Sequence, residues 1–362
     1  MLADYELSVI VEPLLAWFSQ NARILPWREE PTPYRVWVSE IMLQQTRVEA
    51  VKPYFERFMK ELPTVEALSE CSQERLLKLW EGLGYYNRVK NMQVAAKTVM
   101  EEYNGRLPKE KAELMKLKGI GSYTAGAISS IAYGMPNSAV DGNVLRVISR
   151  VCEEEGDVLK DSVKRQFETK LDEIMPKGRA SQFNQALMEL GAKVCIPNGT
   201  PLCEECPLEN MCQGRKHNSW KQYPVKKKEK PRRIEERTVF VILQKDSVAL
   251  RKRPEKGLLS GMYEFPNVLG KLTKEQAGIW LREQGIPFHK LVVLKDAKHI
   301  FSHIEWHMTG YLVVVEEFME VNTASFVSIE DMERDYAIPT AFEAYVKELY
   351  VGRRNQGTAE TI

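Results

Sequence analysis

Excess charge of either sign is missing from this chain: 51 lysines and arginines face 50 aspartates and glutamates in 362 residues, a formal net charge of +1. A uniformly basic surface is thereby excluded, so any grip on a polyanion has to come from local patches. Long apolar runs are also missing. The first twenty residues carry Asp4, Glu6 and Glu12 with no basic start and no unbroken hydrophobic stretch, so neither a signal peptide nor a membrane span is expected, and the expected location is cytoplasmic. No fixed-period repeat appears, which argues against a solenoid. Cysteine is sparse, six in all, yet four crowd between 195 and 212. That crowding suits a metal site in a reduced compartment better than a disulfide framework.

What is present reads as two domains, each long enough for its own core. From Tyr5 to about Arg215 apolar residues recur at three- and four-residue spacing, which predicts an all-α domain. Thr32-Pro33 is a helix start, cap followed by first-turn proline, with the helix carrying Val36 through Val51. Further helices are expected over 64–71, 73–80, 88–103, 110–116, 122–133, 142–152, 161–174 and 180–192. The stretch 215–233 holds nine Lys or Arg against one Glu, with two prolines, and reads as a solvated basic linker able to touch phosphates. Beyond Glu236 come short β-type runs at 238–243, 248–251, 262–265, 291–294, 300–307 and 311–315, with helices at 274–284 and 341–350, an α+β domain. Expected boundaries are 1–217, a linker at 218–235, a second domain at 236–352 and a polar tail at 353–362.

Within the first domain, Leu117–Arg146 draws the eye. Gly119 and Gly121 permit a tight turn ahead of a small-residue helix, and the amides of such a turn suit a phosphate oxygen, with Lys116 and Lys118 adding charge. Asp141 follows in the apolar setting of VDGNV, where partial desolvation would make a carboxylate useful in catalysis. Glu40 sits in a helix among Trp37, Ile41, Met42 and Leu43, surroundings that would raise its pKa. Cys195, Cys203, Cys206 and Cys212 form C-x7-C-x2-C-x5-C, which fits a tetrahedral zinc or a cubane iron–sulfur cluster alike. Cys71 and Cys152 read as plain buried residues.

The hairpin and downstream Asp resemble the helix-hairpin-helix family of DNA base-excision glycosylases over roughly residues 5–215, and SEIMLQQT resembles the acid-bearing stretch of its adenine glycosylases. The resemblance implies a [4Fe-4S] cluster on the four cysteines, although the family's first gap is six residues and this one is seven. It implies Glu40 as the acid that protonates adenine at N7 and Asp141 as the anion that stabilises or captures the sugar cation, two carboxylates with unequal pKa values. Tyr123 stands where bifunctional lyases carry lysine, so no Schiff base is expected there and the enzyme should be monofunctional. Tyr123 is expected to bond Asp141 or water, and Asn143 to orient Asp141. Arg23, Trp27, Arg28, Leu43 and Gln185 match an adenine pocket, with Gln185 standing where some relatives have Glu. Gln45 and Tyr85 match residues that wedge into the duplex as a base is flipped. Thr46, Leu83, Lys118, Gly119 and Gly121 are counted among the DNA contacts.

The second domain resembles a Nudix fold through Glu264-Phe265-Pro266, but only Arg282-Glu283 remains of the phosphohydrolase signature, so pyrophosphatase activity is not expected. The run His299-Ile300-Phe301-Ser302-His303 resembles the loop with which adenine glycosylases of the MutY type recognise 8-oxoguanine. His299, Phe301, Ser302 and His303 are its candidate contacts. The implied partner is double-stranded DNA with A·8-oxoguanine mispairs, and A·G pairs as well, bound by a monomer at the nucleoid. The rivals are an endonuclease III-like oxidised-pyrimidine glycosylase and lyase, and a non-catalytic lesion binder.

Overall fold

The computed structural model describes residues 2–227, 231–315 and 324–356, with backbone alone for 351–356. The chain forms two compact units: residues 1–71 with 87–228, and residues 72–86 with 229–362.

The first unit is helical. Pro33–Leu43 begins as expected, with Thr32 Oγ1 accepting from the Arg35 amide at 3.3 Å and Pro33 in the first turn. It does not run on to Val51. Gln45 takes a left-handed φ of 60°, and a new helix starts at Val48 and ends at Glu61. Arg88 accounts for the break: its Nη1 donates to the carbonyls of Ile41, Met42 and Gln44 at 2.6, 3.2 and 2.7 Å, which satisfies groups a continuing helix would have bonded itself. The expected 122–133 helix is likewise two pieces, α over Ser122–Ala127 and π over Ile128–Ala132. Ser129 and Ser130 hydroxyls donate to the Gly126 carbonyl at 3.2 and 2.7 Å and compete with the regular ladder. A Cβ on Gly126 would lie 2.0 Å from the Ser138 carbonyl oxygen, so the backbones approach as only glycine permits. The Gly142–Cys152 helix is buried nearly all round. It packs its valines, Leu145 and Ile148 with Leu14, Phe167, Phe183, Leu187 and Leu190 into one core. Among the described residues no helix is long and apolar enough to cross a membrane.

The second unit is a mixed sheet of β1 (Arg233–Gln244), β2 (Ser247–Lys252), β3 (Tyr263–Glu264), β4 (Asn267–Leu269), β5 (Phe288–Val293), β6 (Ala297–Ile300), β7 (Ile304–Val315) and β8 (Ser325–Ser328). The main order is β3-β2-β1-β7-β5, with β4 on β1, β6 on β7 and β8 on β2. Parallel β1 and β7 form its spine, from Arg233 opposite Ile304 to Leu243 opposite Val314. One face buries Val239, Val241, Trp306 and Met308 against Met332, Phe342 and Tyr345; the other buries Phe240, Ile242 and Val313 against Ala277 and Leu281 of the Lys274–Glu283 helix. The expected single strand over 300–307 is a hairpin instead, β6 and β7 turning at Phe301–His303, and β7 continues through the run expected at 311–315.

Two expected boundaries shift. Residues 72–86 join the sheet unit: Lys78 Nζ donates to the Tyr336 carbonyl at 3.0 Å, the Ile338 amide to Glu81 Oε1 at 2.7 Å, and Lys252 pairs with Glu74 at 2.8 Å. The basic linker is largely structured. Arg150 Nε donates to the carbonyls of Trp220 and Tyr223 at 3.2 Å each, and the Val158 amide bonds the Val225 carbonyl at 3.1 Å, so these residues belong to the helical unit, while Arg233–Glu235 already lie in β1. A buried arginine offering donors to these carbonyls outweighs the linker's flexible composition. The expected tail begins late, since the last helix spans Glu343–Gln356; 357–362 lie outside the described residues.

Candidate active site

A cavity of about 710 Å³ opens inside the helical unit. The Pro33–Leu43 helix delivers Glu40 to it, only 5% exposed, and the Ser122–Ala127 helix delivers Tyr123. The Tyr123 hydroxyl donates to Glu40 Oε2, not to Asp141, which corrects the expected partner. Burial pushes the Glu40 carboxyl up to about 7; the nearby Asp141 charge also raises it, while the Tyr123 bond and the Arg28 charge pull it down. Burial, aided by the Glu40 and Asp141 charges, holds the Tyr123 phenol far above its ordinary range, so it stays a donor.

Asp141 caps the Gly142–Cys152 helix. Its Oδ1 accepts from the Val144 amide at 2.8 Å and its Oδ2 from Asn143 Nδ2 at 2.7 Å, while Asn143 Oδ1 accepts from Arg146 Nη2 at 2.8 Å. Burial holds the Asp141 carboxyl above its ordinary value, and those donors with the Arg146 charge offset only part of that rise. The two carboxyls differ in their partners: Glu40 is desolvated with one phenol bond and the Arg28 charge to offset it, whereas Asp141 accepts from an amide and a carboxamide that stabilise its anion against its own burial.

Arg23, Trp27, Arg28, Leu43, Gln45 and Thr46 line this cavity, as do Asn143 and Gln185 from two other elements. Gln185 Nε2 is bonded to Ser181 Oγ at 3.1 Å. Both arginines are engaged by Glu189, which sequence reasoning missed. Its signal was present, four residues after Gln185 and hence on the same helical face. Burial works to raise the Glu189 carboxyl, but the Arg23 bond and the two guanidinium charges outweigh it and hold it below its ordinary value. Arg88, which shapes the Gln45 turn, was missed because its partners are backbone carbonyls and leave no mark in sequence.

Other expected contacts lie elsewhere. Lys118, Gly119 and Gly121 are in the helical unit but off the cavity lining. Gly119 has φ 81°, and a Cβ on it would meet Asn91 Cβ at 2.8 Å. In the sheet unit Leu83 is buried, against its expected DNA contact, because it packs inward from a turn whose exposed side chain is Tyr85, at 49%. In the β6–β7 hairpin, Ser302 and His303 are exposed at the tip, and burial lowers the pKa of His299 and so favours its neutral form. Phe301 is not an open contact: its ring packs edge-on against Trp306 at 4.8 Å and His299 at 4.6 Å, supporting the turn from beneath.

The four clustered cysteines form no disulfide and line one small cavity of the helical unit. The seven-residue first gap closes through Gly199, φ 85°, and a bond from the Leu202 amide to the Val194 carbonyl at 3.0 Å. Arg150 Nη1 reaches Cys195 Sγ at 3.3 Å, a cation where thiolate charge would gather. Burial pushes the Cys206 thiol up to about 12 and Cys212 to about 11. Among the described residues no three His, Cys, Asp or Glu side chains are grouped closely enough for one metal ion.

Residues 38–173 match the HhH-GPD superfamily of base excision DNA repair proteins, and residues 238–348 match the NUDIX domain. The chain is 35% identical to the adenine DNA glycosylase of Buchnera aphidicola subsp. Acyrthosiphon pisum, over 85% of its own length and 88% of the relative's. It is 34% identical to that of Homo sapiens, over 86% and 68%. A solved thermostable thymine-DNA glycosylase superposes with a TM-score of 0.53 at 26% identity, over 58% of this chain and 96% of that one. With a helical glycosylase unit, a Nudix-like second unit and relatives of this identity over most of its length, the chain belongs to the adenine DNA glycosylases, base-excision repair hydrolases that act on N-glycosyl bonds in DNA.

Proposed function

We propose that the protein is a monomeric, monofunctional glycosylase that hydrolyses adenine from A·8-oxoguanine pairs, and from A·G pairs as well, leaving an abasic site in cytoplasmic, nucleoid-associated DNA. The observation that carries this reading is the shared cavity of Glu40 and Asp141, one carboxyl held near neutrality by burial and the other surrounded by donors. Glu40 gives its proton to N7 as the bond to C1′ breaks, so the purine leaves neutral. Asp141, ionised, stabilises the developing oxocarbenium, and water then adds to C1′ and returns a proton. Tyr123 keeps Glu40 oriented, and Asn143, held by Arg146, does the same for Asp141. No lysine occupies position 123 to form a Schiff base, which supports hydrolysis without strand cleavage.

Arg23, Trp27, Arg28, Leu43 and Gln185 form the wall against which the flipped base would rest, with Gln45 and Thr46 at the turn that follows the acid's helix. Lys118, Gly119 and Gly121 suit a backbone phosphate, and Tyr85 suits a stack. Ser302 and His303 on the hairpin tip, with His299 behind them, suit the N7–H/O8 edge of 8-oxoguanine. Cys195, Cys203, Cys206 and Cys212 would hold a [4Fe-4S] cluster: four soft donors lining one cavity beside the Arg150 cation fit that group. When bound it would tie the loop to the Gly142–Cys152 helix through the bonds Arg150 already makes.

A single-turnover assay with duplexes carrying A·8-oxoguanine, A·G or A·T tests the reading. Adenine release fastest from the first, without strand breaks before alkali, is expected. Borohydride trapping of a protein–DNA adduct, or equal rates on A·T, would overturn it.

A further inference from the structure

The cavity contains a third carboxylate that the chemistry above does not use. Glu189, on the Ala180–Lys193 helix, is about 1% exposed. Arg23 donates to both its oxygens, Nε at 2.5 Å and Nη2 at 3.2 Å, and Arg28 Nη2 donates to Oε2 at 2.9 Å. Arg28 Nη1 also donates to the Arg23 carbonyl at 3.0 Å, so two cations from one short segment are tied to one anion from a distant helix. A buried carboxylate persists only with such compensation. The count on this wall is two guanidiniums against one carboxylate.

That count matters to Glu40. The ionisable groups facing it are Tyr123, Asp141 and Arg28. Arg23, Arg146, Lys164 and Lys226 are further cations of the same lining. Unbalanced positive charge here would draw the proton off Glu40 before a base arrives.

We propose that Glu189 is a positioning residue that fixes Arg23 and Arg28 along the cavity wall and offsets half their charge, so that Glu40 meets the base with its proton. The proposal rests on Glu40 being the acid. Its test is the pH dependence of single-turnover adenine release by the full-length protein. Glu189→Gln leaves both arginines uncompensated and moves the alkaline limb to lower pH, losing roughly fivefold more rate between pH 6 and pH 8 than the parent protein. Arg28→Gln removes a cation and moves the limb to higher pH. Opposite shifts from two neutralisations within one ion pair are not produced by loosened packing, which lowers the rate at every pH. Limbs that stay in place in both variants overturn the proposal. If Glu189→Gln does not fold, Arg28→Gln alone decides, an unmoved limb counting against the idea. Glu40→Gln serves as the control: full activity in that variant removes the acid assignment itself, independently of Glu189.

Discussion

Glu40 in the helical unit and Ser302 in the sheet unit are both candidates to touch a base, yet their surroundings are opposite. Glu40 is 5% exposed and shares its cavity with the half-buried Asp141 and the buried Glu189, whereas Ser302 stands exposed at a hairpin tip supported by Phe301 and Trp306. Proton transfer gains from exclusion of water, which raises an acid's pKa and strengthens each hydrogen bond. Reading a base edge requires a group that reaches out from a rigid support. On the proposed function the cavity and the hairpin would divide those tasks, and each can be perturbed separately.

The largest effect should come from Asp141→Asn. The new side chain can still cap through the Val144 amide, so the helix and duplex binding survive, but the anion is gone and adenine release falls by about a thousandfold or more. Retained turnover with normal binding would sink the assignment. Next is Glu40→Gln, expected to lower the single-turnover rate by about a hundredfold. In the parent protein a carboxyl pushed up to about 7 is protonated below that pH and ionised above it, so the rate should fall as pH rises through 7, and the variant should lose that limb. Ser302→Ala should cost about tenfold in preference for A·8-oxoguanine over A·G, with A·G release unchanged. Release falling equally on both duplexes would assign Ser302 to the chemistry and erase the comparison. The smallest effect is Gly191→Ala, whose Cβ would lie 2.6 Å from Asn143 Cβ. It should destabilise the fold by about 1–3 kcal/mol and slow release a few-fold by displacing the group that orients Asp141, visible in thermal denaturation beside the rate.

Local patterns were legible where the cause is local. Thr32-Pro33 marked a helix start, the helices after Asn87 and Gly142 followed apolar spacing, and Asp141 combined a cap position with an apolar setting. The breaks at Gln45 and Ile128 were not legible, because an arginine 44 residues away from Gln44 and a pair of serine hydroxyls decide them. The hairpin at 301–303 hid inside a continuous β-type run because alternation carries no sign of where a chain reverses.

Residue order alone determined the two-part architecture, the crowding of four thiols, the absence of an amine at position 123 and the presence of Glu40 and Asp141 in apolar settings. These are matters of side-chain chemistry and short-range periodicity. Tertiary structure decided which groups share a cavity: it joined Glu40 to Tyr123, set Glu189 against two arginines, drew the basic connector onto Arg150 and turned Phe301 inward. The reason is that burial and long-range hydrogen bonding set the protonation and direction of a polar side chain, and both depend on neighbours as far as 166 residues away in the chain, the separation of Arg23 and Glu189.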